Sequence, residues 1–451
     1  MTRGLAAALA VVLAAASAPT PARAEADAPP PRREVPDYDG REPPPATAGD
    51  GLRWIPRALL FPARIVVDYV VRRPFGYVVQ KAEHSKGVRK VLRALFREIE
   101  DANPLIFPVA LVDFGFQPSV GVRVLWRRGY LVPRSDVTAR VGTGGADWWR
   151  ADLGIKTKLG ALRSAASVGA NYRPDYLFHG IGRDTRPDAK ARYAARKLFA
   201  RGTVGGHVQG IGDGLLSFAV TDNELSSSTY DGDPSIEEQV AAGRIAALPI
   251  GYEQDYRTMR AGARITLDTR TDGRRAASGA RFDGAVERVR DLTQETSWTR
   301  VELMLGAGLL LDPAAERKLD VRLGVELVEP DRGTTQIPFL ELATISGAPW
   351  LRGLRQGRLY GASAAAFLVD YDWPLAAWLD AHAHFGVGNV FDPGLEGFAL
   401  RHLRGSFGGA LTIAGIDERQ IGVSLHFGTE PLGGGFDVSS TRLILEYSSD
   451  Y

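Results

Sequence analysis

The stretch VRLGVELV, Val321 to Val328, alternates in chemical character along its length. One set of positions is apolar: Val321, Leu323, Val325 and Leu327. The positions between them, Arg322, Gly324, Glu326 and Val328, are mostly charged or glycine. A period of two residues is typical of a strand whose two faces meet different surroundings. The stretch therefore predicts a β-strand with one apolar face.

The same alternation recurs from Pro104 to the end of the chain. It places apolar residues at every second position of 120–126 and 263–267, and Leu153, Ile155, Thr157 and Leu159 at every second position of 153–159. A water-soluble β-sandwich with its apolar faces turned inward would give the same pattern. The alternation alone therefore leaves two architectures open.

Strand length and connection length favour a membrane-spanning barrel. A tilted spanning strand needs about 9 to 11 residues, and outer-membrane barrels join such strands by alternating short turns and long loops. We predict short turns at 201–202, 271–279, 312–318, 373–377 and 415–419, and long loops at 173–190, 222–257, 329–359 and 391–401. Between residues 105 and 451 the pattern predicts an all-β fold, a transmembrane antiparallel β-barrel of about 16 strands.

The first 24 residues have the features of a signal peptide. Arg3 precedes an apolar run from Leu5 to Ala16, and Ala22-Arg23-Ala24 gives a small-x-small cleavage site. An uncleaved anchor is the alternative, but a spanning helix needs about 20 apolar residues. We therefore expect export through a cleaved signal peptide and residence in the outer membrane of a Gram-negative-type cell.

Two further segments separate the signal peptide from the barrel. Residues 25–50 are rich in proline and charge and are predicted to be a disordered linker. Residues 51–104 place apolar side chains at helical spacing with Arg and Lys opposite, which predicts a short amphipathic α-helical segment. Whether these helices lie on the membrane or against the barrel stays open.

Composition excludes some classes of function. The 451 residues carry 55 Lys+Arg and 53 Asp+Glu, so no global positive charge attracts nucleic acid. The chain has no cysteine, so an exported protein of this sequence forms no disulfide.

The segment PWLRGLRQGRLYG, Pro349 to Gly361, concentrates three arginines and three glycines in one long loop. Glycine allows sharp bends and close backbone approach, and arginine forms bidentate pairs with carboxylates. One interpretation is a loop folded into a lumen with acidic wall residues. The other is a solvated surface loop that binds anionic sugar headgroups.

Within this segment, LRGLRQGR resembles the sixth-loop arginine-glycine-aromatic motif of the bacterial surface antigen family, which includes BamA, TamA and two-partner-secretion transporters. FHGIGRDT (178–185), ARITLDTRTDG (263–273), YDWPL (371–375), FGVGNVFDPG (385–394) and RGSFGGAL (404–411) fall where that family has its own motifs. The resemblance covers about residues 105–451. It implies a lumen-folded sixth loop with motif residues Leu351, Arg352, Gly353, Leu354 and Arg355, and family-motif positions Gly180, Gly182, Asp268, Arg270, Gly388 and Gly408.

The chain departs from the family pattern in three ways. Leu354 stands where the motif has an aromatic residue, and Gly386 stands where the family commonly has an acidic one. Residues 25–103 show no strand pattern typical of the periplasmic (POTRA) domains. With Gly386 unable to pair, we expect Arg352 to be the anchor of the loop, with a carboxylate from Asp370, Asp372 or Asp380, and we expect Arg355 and Arg358 to matter less.

The last strand ends on an aromatic residue. Leu443, Leu445 and Tyr447 share one face, and Tyr451 is terminal. This ending is similar to the sorting signal read by the barrel-insertion machinery, which we expect to be a partner in the assembly of this chain.

Catalytic and metal sites are not predicted. His382 and His384 share one face of a strand, but spacing fixes no nucleophile and no third metal ligand. We expect no enzyme activity, no cofactor and no metal.

The resemblance implies a barrel that assists insertion or passage of protein or lipid, with outer-membrane lipids as surroundings and no nucleic acid as partner. A plain pore or structural barrel and an outer-membrane lipid hydrolase are the alternatives. The client protein or lipid and a homo-oligomeric state are left open.

Overall fold

The computed structural model describes residues 103–127, 129–208, 212–270, 278–312, 317–331, 336–376, 379–414 and 420–447. The expected signal peptide and linker lie outside the described residues. The same holds for the expected amphipathic segment apart from its last two residues.

The described chain forms a closed antiparallel barrel. Each of its sixteen strands pairs with its sequence neighbours, and the first strand pairs with the last. The prediction of an all-β transmembrane barrel of 16 strands is confirmed. The strands are β1 (Leu105–Asp113), β2 (Ser119–Trp126), β3 (Ser135–Thr143), β4 (Trp149–Leu159), β5 (Leu162–Phe178), β6 (Ala191–Val208), β7 (Gly212–Ser227), β8 (Tyr256–Asp268), β9 (Gly279–Asp291), β10 (Ser297–Asp312), β11 (Arg317–Pro330), β12 (Ser363–Ala376), β13 (Leu379–Phe391), β14 (Arg404–Ala414), β15 (Gln420–Pro431) and β16 (Val438–Tyr447).

The apolar residues of the alternating pattern face outward. On β11, Leu323 is exposed on the outer surface, while Glu326 faces the lumen and accepts a 2.6 Å hydrogen bond from Arg300 of β10. Other exposed outer residues are Val122, Leu153, Val168, Leu198, Leu216, Ile265, Val286, Leu303, Phe367, Phe385, Leu425 and Leu445. An apolar outside around a charged inside is the reverse of a soluble sandwich and suits a barrel in hydrocarbon.

Long connections lie at one end of the barrel and short ones at the other. Residues 179–190, 228–255, 331–362 and 392–403 form the long loops, as expected. The predicted turn at Arg201–Gly202 is wrong, because Gly202 pairs with β5 and β7 in the middle of β6. An outward glycine with open space above it breaks the apolar pattern without ending the strand.

Packed loops cover the long-loop end. The 228–255 loop contains the only described α-helix, α1 (Ile236–Ala241), which begins with a capping box formed by Ser235 and Glu238. Phe339 of the 331–362 loop packs edge-on against Phe178, Tyr193 and Tyr360 at 5.0 to 5.5 Å between ring centroids. This aromatic cluster fixes the start of the long loop over the barrel.

Among the described residues, no helix combines the length and apolar character needed to cross a membrane.

The seam between β1 and β16 joins the two ends of the described barrel. Its described pairs run from Ala110 opposite Tyr447 to Asp113 opposite Ile444, and residues 448–451 lie outside the described residues. An ion pair strengthens it on the lumen side, where Arg442 Nη2 lies 2.7 Å from Asp113 Oδ2.

A closed barrel with internal ion pairs should resist detergent until it is heated. We expect folded and boiled samples to migrate differently on a denaturing gel. A variant lacking residues 51–102 should keep this heat-modifiability, because the described sheet closes without that segment. Loss of the folded band in the deletion variant would show that the barrel needs these residues.

Candidate functional site

The segment 351–361 of the long β11–β12 loop lies against the inner faces of β12 to β16. Leu351, Leu354 and Leu359 are fully buried there. This places the arginine-glycine motif inside the barrel, and the contacts below show how the wall holds it.

The peptide of Gly353 is bound on both sides. Its N–H donates to Ser406 Oγ of β14 at 2.8 Å, and its carbonyl accepts from Ser440 Oγ of β16 at 2.7 Å. The Gly353 Cα lies so close to the backbone carbonyl of Phe427 that a Cβ there would collide with it. Glycine is therefore required where the loop backbone rests on the wall.

Asp370 of β12 is shared by an arginine of the wall and an arginine of the loop. Arg322 of β11 donates to one of its oxygens, and Arg352 Nη1 lies 3.6 Å from the other. His384 Nδ1 is 2.9 Å from the same carboxylate. Of the three carboxylates expected as partners of Arg352, the structure thus gives Asp370, which is almost completely buried.

Glu430 of β15 repeats this arrangement nearer the long-loop end. Arg404 of β14 contacts one carboxylate oxygen, and Arg358 of the loop lies 3.2 Å from the other. Both guanidinium groups also donate to the Thr185 carbonyl, at 2.7 Å from Arg404 and 2.9 Å from Arg358. Two buried cations therefore share one carboxylate.

Burial dominates the electrostatics of this cluster. It lowers the pKa of Arg358 to about 10, the neighbouring charge of Arg404 acts in the same direction, and Glu430 opposes both. Burial also lowers the pKa of His179 well below its ordinary value, with the positive Arg358 as the next cause. Arg358 thus stays charged at neutral pH while His179 is neutral.

The burial and ion-pair distances of the loop arginines do not follow the order of importance that we expected for them. Arg358 has a side chain only 6% exposed, whereas that of Arg352 is 28% exposed and makes the longer ion pair. Arg355 packs its guanidinium against Gly115 of the β1–β2 connection. Arg352 pairs with one of the expected carboxylates, and Arg358 is buried more deeply on a second carboxylate that the expectation did not include.

At the two positions where the chain departs from the family motif, Gly386 and Leu354, apolar side chains fill the space. Leu351 Cδ2 lies 3.3 Å from the position a Cβ would take on Gly386, so the missing acidic side chain leaves room for leucine. Leu354, which replaces the aromatic residue, packs closely over Gly428 of β15. The loop is thus held by apolar contact as well as by charge.

A polar relay that the sequence did not reveal runs from Asp370 to the loop. His384 Nδ1 lies 2.9 Å from Asp370, and His384 Nε2 lies 3.3 Å from Ser406 Oγ. The three residues lie on adjacent strands: Asp370 faces His384, and Gly386 faces Ser406. Spacing along the sequence could not reveal this relay, because the register of the three adjacent strands is what brings its residues together.

The remaining motif residues differ in what they contact. Gly182 and Gly388 contact the β11–β12 loop: the Gly182 N–H donates to the Tyr360 carbonyl at 2.7 Å, and a Cβ on Gly388 would meet Ile345. Gly180 lies near Thr185, and Gly408 of β14 is paired with His384 and His426. Asp268 and Arg270 instead form a bidentate pair at the short-turn end of β8. Leu443 and Leu445 lie on the outward face of β16, Tyr447 is described only by its backbone pairing with Ala110 and Ile421, and Tyr451 lies outside the described residues.

A cavity of about 440 Å³ lies beside Arg352 in the lumen. Arg270, Arg281 and Arg322 line it, and each contacts a carboxylate of its own surroundings. Its lining also includes Asp320, Asp372 and His382, and His382 contacts Asp372. The positive charges are therefore balanced within the wall.

No cluster of three or more histidine, aspartate or glutamate side chains suited to a metal ion occurs in the described part of the chain. The expectation of no metal and no cofactor stays a prediction.

Comparison with known proteins places this barrel among outer-membrane folds. It is similar to BamA from Haemophilus ducreyi lacking POTRA domains 1–3, with a TM-score of 0.53 and 13% identity over 77% of this chain and 70% of that chain. CdiB from Acinetobacter baumannii gives a TM-score of 0.48 and 11% identity over 76% of this chain and 60% of that chain. CdiB from Escherichia coli gives a TM-score of 0.49 and 8% identity, with 76% and 63% covered. The chain matches no protein-family model, and no curated protein matches its sequence significantly.

The shared carboxylate of Glu430 should matter more than either arginine on it. Glu430→Gln leaves two buried guanidinium groups without a counter-charge, and breaking a buried pair in this way costs about 3–5 kcal/mol. Arg358→Met should cost less, because Glu430 keeps Arg404. Equilibrium unfolding in denaturant measures both. Glu224→Gln, in an exposed pair with Arg196, is the control and should change stability far less, because water screens an exposed pair; equal losses at Glu430 and Glu224 would contradict the assignment.

Gly353→Ala should displace the loop from the wall. The added methyl group meets the Phe427 carbonyl, and overpacking of this kind costs about 1–3 kcal/mol. Gly434→Ala, where a Cβ meets no atom within 4 Å, is the matched control. Limited proteolysis from the long-loop side should cleave the 351–361 segment in Gly353→Ala alone, and equal protection in both variants would refute the close contact.

Proposed function

We propose that the chain is a member of the bacterial surface antigen superfamily that assists insertion or passage of protein or lipid at the outer membrane. We further propose that it is exported through a cleaved signal peptide and acts without enzymatic chemistry. The fold supports the general class of outer-membrane barrel. The more specific role rests on how the loop and the seam are joined.

Arg442 carries this proposal because it contacts the seam and the loop together. It lies on β16, forms the 2.7 Å ion pair with Asp113 of β1, and donates from Nη1 to the Arg352 carbonyl at 3.4 Å. One side chain thus bridges the first strand, the last strand and the lumen loop. A shift of the loop at Arg352 would therefore disturb the ion pair that joins β1 to β16.

The lumen loop argues against a plain pore. Segment 351–361 occupies the interior with buried leucines and two shared ion clusters. A diffusion pore needs a water-filled path, and this segment would have to leave its partners to open one. We therefore expect low conductance from the intact barrel.

The seam offers a lateral route instead. Backbone groups in hydrocarbon must be paired, so the cost of opening a junction rises with the number of hydrogen bonds that are lost. At the β1–β16 junction the two strands are the ends of the described barrel, so no connecting turn ties them together. Opening it would present two strand edges to a client in the membrane.

A disulfide across the seam tests this proposal. Val112 and Leu445 are paired on the outer face. Directly opposite residues of antiparallel strands lie about 4.5 to 5.5 Å apart at Cα, which is within the range of a disulfide. Because the chain has no cysteine, Val112→Cys with Leu445→Cys introduces the only two thiols. In proteoliposomes, the oxidised variant should lose acceleration of folding of a small model barrel, or transbilayer movement of a fluorescent phosphatidylethanolamine, and regain it on reduction.

The matched control is Leu411→Cys with Val423→Cys, a paired outward site on β14 and β15. Oxidation there should leave both assays unchanged. No activity of the reduced protein in either assay, together with high ion conductance in planar bilayers, would favour the plain pore.

The Asp370–His384–Ser406 relay is the observation that favours a lipid hydrolase. Its distances suit an acid, base and nucleophile, but all three side chains are buried and Ser406 Oγ already accepts the Gly353 N–H. We propose that the relay binds the loop. Covalent labelling of Ser406 by a fluorophosphonate in the folded protein, lost in Ser406→Ala, would overturn this role.

A further inference from the structure

A row of three polar side chains crosses β8, β9 and the start of β10 on the lumen face, at the long-loop end of the barrel. Thr258 of β8 is directly opposite Asp291 of β9. The Asp291 N–H donates at 2.9 Å to the carbonyl of Thr296, the residue before β10. Opposite residues of antiparallel strands point to the same face, so the carboxylate lies between two threonine side chains.

The carboxylate of Asp291 is buried and only half satisfied. The side chain is in a residue that is 0% exposed. Its Oδ1 accepts the backbone N–H groups of Thr293 at 2.8 Å and Gln294 at 3.4 Å, which favours the ionised form. Its Oδ2 has no hydrogen-bond partner, and no basic side chain pairs with it, among the described residues. A buried ionised carboxylate needs a counter-charge.

The two threonine hydroxyls do not supply the missing contacts. Thr258 Oγ1 and Thr296 Oγ1 are buried, and neither has a hydrogen-bond partner in the described part of the chain. A hydroxyl beside a carboxylate is able to donate to it, yet neither threonine does so. Neighbouring oxygen atoms that do not bond to one another are the arrangement in which all of them can turn their lone pairs to one cation.

The same two strands contain a second threonine–aspartate pair that is satisfied within the protein. Thr266 of β8 is directly opposite Asp283 of β9. There the Thr266 hydroxyl donates to Asp283 Oδ1 at 2.6 Å, and Arg281 Nη2 donates to the same oxygen at 2.9 Å. Asp291 has neither kind of contact, so its environment is not a general consequence of placing this pair on the wall.

More buried polar atoms without partners lie on the wall around this row. Within the described residues these include Asn223 Nδ2, Tyr256 OH and Trp298 Nε1. Asn223 is opposite Tyr256, which lies two residues before Thr258 on the same face. Nitrogen donors cannot ligate a cation, but they can bind the waters that complete its coordination shell.

We propose that Asp291 Oδ2, Thr258 Oγ1 and Thr296 Oγ1 bind a hard metal cation, sodium or calcium, at the long-loop end of the lumen wall. Oxygen ligands suit these ions, whereas soft metals prefer sulfur ligands and magnesium retains most of its own water. The cation neutralises Asp291 and joins three strands. The site has one carboxylate and departs from our expectation of no metal. It is independent of the role proposed for the seam.

Equilibrium unfolding of the full-length protein in urea tests the proposal. The protein is treated with a chelator and measured in choline chloride, then with sodium chloride or, separately, calcium chloride at equal ionic strength. At a cation concentration of about 100 times its dissociation constant, linkage lowers the unfolding equilibrium constant about 100-fold. We expect this stabilisation from at least one of the two cations, and the effective one identifies the ion.

Asp291→Asn keeps the shape of the side chain and removes its charge. The variant should lose the response to both cations. In choline chloride it should be at least as stable as the unaltered protein, because an unpaired buried charge has been removed. Thr258→Val, which keeps the carboxylate, should need a higher cation concentration for the same stabilisation.

Asp283→Asn is the matched control on the same strands. It should lower stability in every salt, because Arg281 loses its partner, but it should keep the full response to the cation. Heat-modifiability of each variant checks that the barrel is folded. Absence of stabilisation by both cations in the unaltered protein, or equal stabilisation of the unaltered protein and Asp291→Asn, would overturn the proposal.

Discussion

The sharing of wall carboxylates between the barrel and its long loop is the constraint on which the rest of the structure depends. Asp370 and Glu430 each contact one arginine of the wall and one of the loop. Inside a low-dielectric interior, a charge that loses its partner is costly. The loop therefore cannot leave the wall without exposing buried cations, and the wall cannot rearrange without disturbing the loop.

The glycines make this arrangement possible. Gly353 places a loop peptide directly on β15, so that its N–H and carbonyl reach serines on the strands either side. Gly357, with a φ of 89°, brings the backbone close to the Leu177 carbonyl before Arg358 turns toward Glu430. Backbone contact and side-chain charge thus alternate along the segment. Through Arg442, the same segment reaches the junction that closes the barrel.

Much of the fold could be predicted from the sequence because successive residues of a strand lie on opposite faces of the sheet, so an alternating pattern identifies both the strand and its apolar face. The alternation of Val321 to Val328 identifies β11, and the same rule gives the number of strands. It failed at Gly202, because a glycine in a long strand has the same local signal as a turn. The candidate site was harder to predict than the fold. Asp370 and two other aspartates could be proposed as carboxylate partners of Arg352, but choosing among them requires the register of β12 against β13. The depth of Arg358 depends on Thr185 and Glu430, far away in the sequence.

Hydrogen–deuterium exchange of the folded barrel tests most directly whether the loop is part of the wall. The amides of residues 351–361 include the Gly353 N–H bound to Ser406 and the Arg358 N–H bound to the Arg355 carbonyl. The account predicts that a peptide spanning this segment exchanges as slowly as peptides from β12 and β14. Exchange as fast as that of the exposed 392–403 loop would show that the segment is free of the wall and would contradict the account.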